Sequence, residues 1–212
     1  MLHRGKLQKI ALRYLCETYS HLVNLTNNIG WTALHYAARY NKFNCLKILC
    51  EYADINIKDN DGDTVLYIAS WVGSEECVKY LCETYSHLVN IRNNCGWTAL
   101  HRAAYFNKFN CFKVLCEYVD MEIKTNKGNT VLHITSQEGS EECLRYLCET
   151  YSYMVDVKND YGYTALYYAE RCNKFNCLKI LCEYADMNIK TNKDNTAVEI
   201  EEEDGADSCL VG

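Results

Sequence analysis

With 212 residues, 49% of them hydrophobic, the chain is long enough to bury a continuous core. Its net charge of −6 excludes a surface built for nucleic acid, which needs clustered Lys and Arg to displace phosphate counterions, and a polybasic membrane-surface role with it. Met1-Leu2-His3-Arg4-Gly5-Lys6 lacks the apolar run of a signal peptide and no stretch has the length of a membrane span, so the expected setting is soluble and intracellular, in the cytoplasm.

In chain order, residues 7–28 match only the second half of a longer unit: Tyr14-Leu15-Cys16-Glu17-Thr18-Tyr19-Ser20-His21-Leu22-Val23-Asn24 parallels residues 80–90. Residues 1–29 therefore read as a partial unit, a lone second helix. A motif then recurs, as Gly30-Trp31-Thr32-Ala33-Leu34-His35, Gly62-Asp63-Thr64-Val65-Leu66-Tyr67, Gly96-Trp97-Thr98-Ala99-Leu100-His101, Gly128-Asn129-Thr130-Val131-Leu132-His133 and Gly162-Tyr163-Thr164-Ala165-Leu166-Tyr167. A worn copy begins at Asp194-Asn195-Thr196-Ala197. The step between threonines alternates between 32 and 34 residues, so the true period is a duplicated pair of 66. This spacing means stacked repeats, with units at 30–61, 62–95, 96–127, 128–161 and 162–193, and a degenerate acidic half-unit at 194–212 as the cap.

Each unit has the same internal grammar. Thr98 is placed as an N-cap, and Leu100, Ala103 and Ala104 follow at helical spacing as a narrow stripe of small residues. Asn107 ends this helix, because Asn tolerates the left-handed backbone of a tight turn; Gly73 and Gly139 take that place in even units. A second helix with a broader apolar face runs through Phe109, Cys111, Phe112, Val114, Leu115 and Cys116, and an extended loop leads to the next Gly. In even units Ser74 and Ser140 read as N-caps ahead of Glu75-Glu76 and Glu141-Glu142. With no proline in the chain, Thr, Asn, Asp and Gly must specify every helix start and turn.

The motif Gly-x-Thr-Ala-Leu-His-x-Ala-Ala, in a helix-turn-helix-loop unit near 33 residues, resembles the ankyrin repeat over residues 7–210. The resemblance implies an all-α solenoid with hairpin-like connecting loops. It departs from the family pattern in replacing the Pro after each Thr by Ala or Val, and in lacking a Gly late in the second helix. It also implies structural roles for Thr32, His35, Thr64, Thr98, His101, Thr130, His133 and Thr164, the His bonding the Thr and the neighbouring loop. Tyr67 and Tyr167 stand where His stands elsewhere, a change that no catalytic base would tolerate.

The fourteen cysteines follow the repeat rather than a disulfide framework. Ten of them come in pairs five apart (45/50, 77/82, 111/116, 143/148, 177/182), which diverge by about 140° around a helix and cannot clamp one metal. The pattern places both members in the core of the second helix, and stacking can bring like cysteines of successive units together. Cys95 and Cys172 fall at expected surface positions and are the candidate reactive thiols. The ending Cys209-Leu210-Val211-Gly212 fits a prenylation box only formally. No nucleophile–base pair, phosphate-cradling loop or carboxylate dyad stands out, so neither a catalytic site nor a cofactor is expected.

Partners of ankyrin arrays meet a concave face of loop tips and outward first-helix positions. Carried onto this sequence, that face takes in Trp31, Asp63, Trp97, Asn129 and Tyr163 beside the turn glycines. At the first-helix ends it takes in Arg39, Tyr40, Trp71, Tyr105, Phe106 and Arg171. Trp, Tyr and Arg are the residue types enriched at interface hot spots. The expectation is a monomeric, non-catalytic scaffold that binds another protein, with Trp97 an exposed anchor whose removal leaves folding largely intact. The competing readings are a structural fragment of a longer array, a cysteine-based redox- or metal-responsive protein, or aromatics that merely pack between loops.

Overall fold

The computed structural model describes residues 2–184. Eleven α-helices are present there, and no strand among the described residues. They are α1 (Leu2–Thr18), α2 (Ala33–Arg39), α3 (Phe43–Leu49), α4 (Val65–Val72), α5 (Glu75–Thr84), α6 (Ala99–Tyr105), α7 (Phe109–Cys116), α8 (Val131–Glu138), α9 (Glu141–Thr150), α10 (Ala165–Arg171) and α11 (Phe175–Tyr184). Helices α2, α4, α6, α8 and α10 stack on one another as an inner layer, and α1, α3, α5, α7, α9 and α11 as an outer one. The chain is thus an all-α repeat solenoid, with α1 standing as an outer helix. The expected acidic cap, with Ala197 and Cys209, lies outside the described residues.

Helices of seven to ten residues do not hold in water alone; burial against neighbours holds them here. In α4, Val65 through Ser70 are all buried, and Leu81, Leu115 and Leu147 of the outer layer are fully so. Ser70 and Ser136, buried in even inner helices, satisfy their hydroxyls by donating to the carbonyls of Leu66 and Leu132 at 2.8 Å. Leu15 of α1 is 51% exposed whereas its counterpart Leu81 is 0% exposed, because α1 has no inner helix of its own unit to shelter it.

The helix starts follow the sequence. Thr32, Thr98 and Thr130 form capping boxes with His35, His101 and His133, while Thr64 and Thr164 accept from the amides of Tyr67 and Tyr167. Asn41, Asn107 and Asn173 have φ of 51°, 49° and 54°, and Gly73 and Gly139 sit at 80° and 81°, so both residue types solve the same left-handed turn. The serine caps differ from expectation. Ser74 and Ser140 make no side-chain cap; their hydroxyls donate to Ala38 and Ala104 carbonyls of the preceding repeat, at 3.5 and 2.6 Å. A buried carbonyl near the end of the preceding repeat's inner helix takes the hydroxyl that the outer helix would otherwise use.

The loops are tied into a ladder. In each, one side-chain oxygen (Asn27, Asp59, Asn93, Thr125 or Asn159) accepts two backbone amides, two and four residues on. Successive tips then bond to one another: Asn60, Asn94 and Asn126 donate their amide side chains to the carbonyls of Asn28, Asn60 and Asn94 at 2.8–3.1 Å. A Cβ at Gly30 would come within 2.7 Å of the Asn60 amide, so glycine is needed there both for its φ of +84° and for this close approach.

Candidate functional site

The histidine sites are structural. In each capping box the Thr amide and hydroxyl both donate to Nδ1, leaving the proton on Nε2. His133 donates that N–H to the Tyr163 carbonyl of the next loop at 3.0 Å. His35 and His101 face the matching carbonyls of Asp63 and Asn129, but their Nε2 atoms close no full hydrogen bond. Burial lowers His101 and His133 to about 4, so these rings stay neutral rather than exchange protons.

The cysteines meet across repeats, mainly unlike with unlike, with Cys111 also close to the like-placed Cys77. The second thiol of one unit lies near the first of the next: Cys50 with Cys77, Cys82 with Cys111, Cys116 with Cys143, Cys148 with Cys177. Burial pushes Cys77, Cys148 and Cys177 up to about 11 and Cys50, Cys82, Cys111 and Cys143 up to about 12, which opposes thiolate chemistry. Cys77 and Cys143 also donate to the left-handed Asn41 and Asn107, at 3.9 and 3.6 Å. Cys95 is not among the free thiols and Cys172 is half-buried; the exposed free thiol is Cys182, at an expected core position. No group of three or more metal-ligating side chains occurs among the described residues.

The turn positions correct the sequence reading. Trp97 is only 2% exposed, so it is a core residue and not an exposed anchor. Its ring packs against His101 and, edge-on, against Tyr105 at 5.7 Å. Asp63 and Asn129 are buried as well, each accepting from the Asn of the next loop, Asn93 at 2.8 Å and Asn159 at 2.7 Å. Trp31 is half-buried, and its indole N–H donates to Asp59 at 3.0 Å. Trp31 thus reaches the neighbouring loop tip, whereas the ring contacts of Trp97 are with the inner helix that follows it.

The inner-helix ends behave otherwise. Tyr40 is 63% exposed and stacks on exposed Tyr36 at 6.3 Å. Trp71, Tyr105 and Phe106 are half-buried and in mutual ring contact, Trp71 to Phe106 at 6.0 Å and Tyr105 to Phe106 at 4.9 Å. Farther along, Tyr163 stacks on Tyr167 at 4.0 Å and exposed Arg171 reaches the Tyr167 hydroxyl at 3.5 Å. An aromatic belt therefore crosses the inner face at Tyr40, Trp71 and Phe106, with a second group at Tyr163.

Arg102 was not among the expected site residues. It occupies the position held by Tyr36, Ile68, Ile134 and Tyr168 in other units. Its guanidinium is 2% exposed and lies over Tyr67, Trp71 and Phe106 at 5.2, 4.8 and 4.9 Å, and Arg39 lies over the same Trp71 at 4.3 Å. Arg102 Nε and Nη1 and the Tyr67 hydroxyl are buried without hydrogen-bond partners. Neither arginine forms an ion pair with a described carboxylate. Cation–π contact, worth about 2 kcal/mol or more when desolvated, is what holds this charge indoors. A single charged residue in an otherwise apolar or Tyr column was the available sequence signal.

No helix of the described chain is long and apolar enough to cross a membrane. Among known proteins, a family model described as ankyrin repeats (3 copies) matches residues 3–91, 53–126, 85–159 and 118–193. No curated protein matches the chain. The capping boxes, the left-handed turns and the stacked layers agree with that match over nearly the whole length, and the chain belongs to the ankyrin-repeat family.

Proposed function

We propose that this chain is a non-catalytic module that binds another protein on its inner face, and that the partner contacts the inner-helix ends rather than the loop-tip tryptophans. Ankyrin repeats are in general protein-interaction modules. What supports the finer reading is the belt Tyr40–Trp71–Phe106, three large rings left half-buried or exposed at the ends of three successive inner helices, two of them under the Arg102 guanidinium. Rigid aromatic rings offer contact area at low entropic cost. Arg39, Tyr40, Trp71, Tyr105, Phe106, Tyr163 and Arg171 carry the contact in this reading; Trp31 stands at its edge, and Trp97, Asp63 and Asn129 hold the scaffold.

The test is affinity capture from cells with the full chain against the Tyr40→Ala/Trp71→Ala pair. A partner retained by wild type and lost by the double variant, with both proteins folded at the temperature of capture, is the expected outcome. Retention by both would remove the belt as the contact surface.

A further inference from the structure

We infer that the partner presents an acidic segment, with a carboxylate seated against Arg39 over the Trp71 ring and apolar side chains along the flanking aromatics. This rests on the inner-face reading above and adds to it the chemistry of what binds there. The chain as a whole is acidic, at −6, yet two guanidinium groups converge on one ring from the helices on either side of it, α2 and α6. Arg39 is half-exposed and available to a ligand. Arg102 lies behind the rings with Nε and Nη1 unpartnered, so its charge is compensated by π faces and not by an anion.

Two of the nearby carboxylates are otherwise engaged. Asp63, close enough to feel Arg102, accepts from Asn93 and is pushed up to about 7 by burial, so it offers at most a fraction of a charge at neutral pH. Asp59 holds the Trp31 indole. A buried positive charge acts through a low-dielectric wall with little screening, so the potential at Arg39 is raised by Arg102 without direct contact between Arg102 and the ligand. Basic or phosphate-free neutral peptides gain nothing from this arrangement, whereas Asp or Glu beside an aromatic side chain satisfies both halves of the surface.

The experiment is selection of a random dodecapeptide display library on the full chain, followed by titration of the enriched peptides. Expected are sequences with Asp or Glu at a recurring position beside an aromatic or aliphatic residue. Their binding falls about tenfold or more on Glu→Gln in the peptide and on Arg39→Gln in the protein, and weakens with salt. Arg102→Lys, which keeps the charge but not the planar stack, weakens them less than Arg102→Gln does. Enriched peptides that are neutral or basic and indifferent to Arg39→Gln overturn the acidic assignment. If those peptides still depend on Trp71, the inner-face reading survives alone; if they ignore Trp71 too, or if nothing is enriched, both fail.

Discussion

The duplicated pairs, residues 30–95 and 96–161, are two versions of one structure, and their differences are not spread evenly. Thr32/Thr98, His35/His101, Asn41/Asn107, Gly73/Gly139 and the outer-layer cysteines are unchanged. On the inner face, Tyr36 becomes Arg102, Arg39 becomes Tyr105, Tyr40 becomes Phe106, Trp71 becomes Gln137 and Val72 becomes Glu138. Beneath it, Asp63 becomes Asn129 and Tyr67 becomes His133. Polar satisfaction differs there too: His133 closes its bond to the next loop, while Tyr67 leaves a buried hydroxyl unpartnered and Arg102 two buried guanidinium nitrogens. A scaffold that departs from its own well-bonded solution next to an aromatic belt is showing where something other than stability was selected.

Four substitutions sharpen that comparison, from the largest effect down. Trp97→Ala should cost about 3–5 kcal/mol in denaturant unfolding, because it empties a filled core site. The same change at half-buried Trp31 should cost clearly less, and equal losses would contradict the burial difference.

Asp63→Asn copies the second pair and should stabilise, but only at high enough pH. The folded Asp63 titrates near 7 against an ordinary 3.8, so the native state holds its proton more tightly and stability falls as pH rises through that window. The gain from Asn is therefore on the order of 1–3 kcal/mol at pH 8 and vanishes near pH 4. The histidines slope the other way. With His101 and His133 lowered to about 4 from 6.5, acidification from pH 6.5 towards 4 destabilises the fold as the unfolded rings take up protons first. Thermal melts of wild type and Asp63→Asn across pH 4–8 separate the two.

Arg102→Ile, the residue of two other units, should leave stability unchanged or raise it by about 1–2 kcal/mol, since an uncompensated buried charge is removed. It should weaken acidic-peptide binding at the same time. Tyr67→His should gain about 1 kcal/mol by removing an orphaned hydroxyl and supplying a donor to the Trp97 carbonyl. A loss in either unfolding curve would mean that the cluster is structural glue.

Much of this was legible in the residues. Periodicity and the Thr, His, Asn and Gly signals marked the inner-helix starts and the left-handed turns among the described residues, since each acts through local backbone geometry. The loop-tip aromatics misled because the exposure of Trp97 depends on what the neighbouring repeats place against it, and that contact is a repeat away in sequence. Ser74 and Ser140 misled for the same reason: a cap and a bond to Ala38 or Ala104 are equally open to a hydroxyl until the stack is assembled. Arg102 went unseen because charge at an inner-helix position suggests solvent, and only the packing of Tyr67, Trp71 and Phe106 around it says otherwise.

The most direct measurement is a titration of a captured partner against Trp71→Ala and against Gln137→Ala, its counterpart in the second pair. A belt centred on Trp71 predicts about a tenfold or greater loss for the first and little change for the second, both titrated below their melting transitions. Equal effects on the two, or none on either, would contradict it.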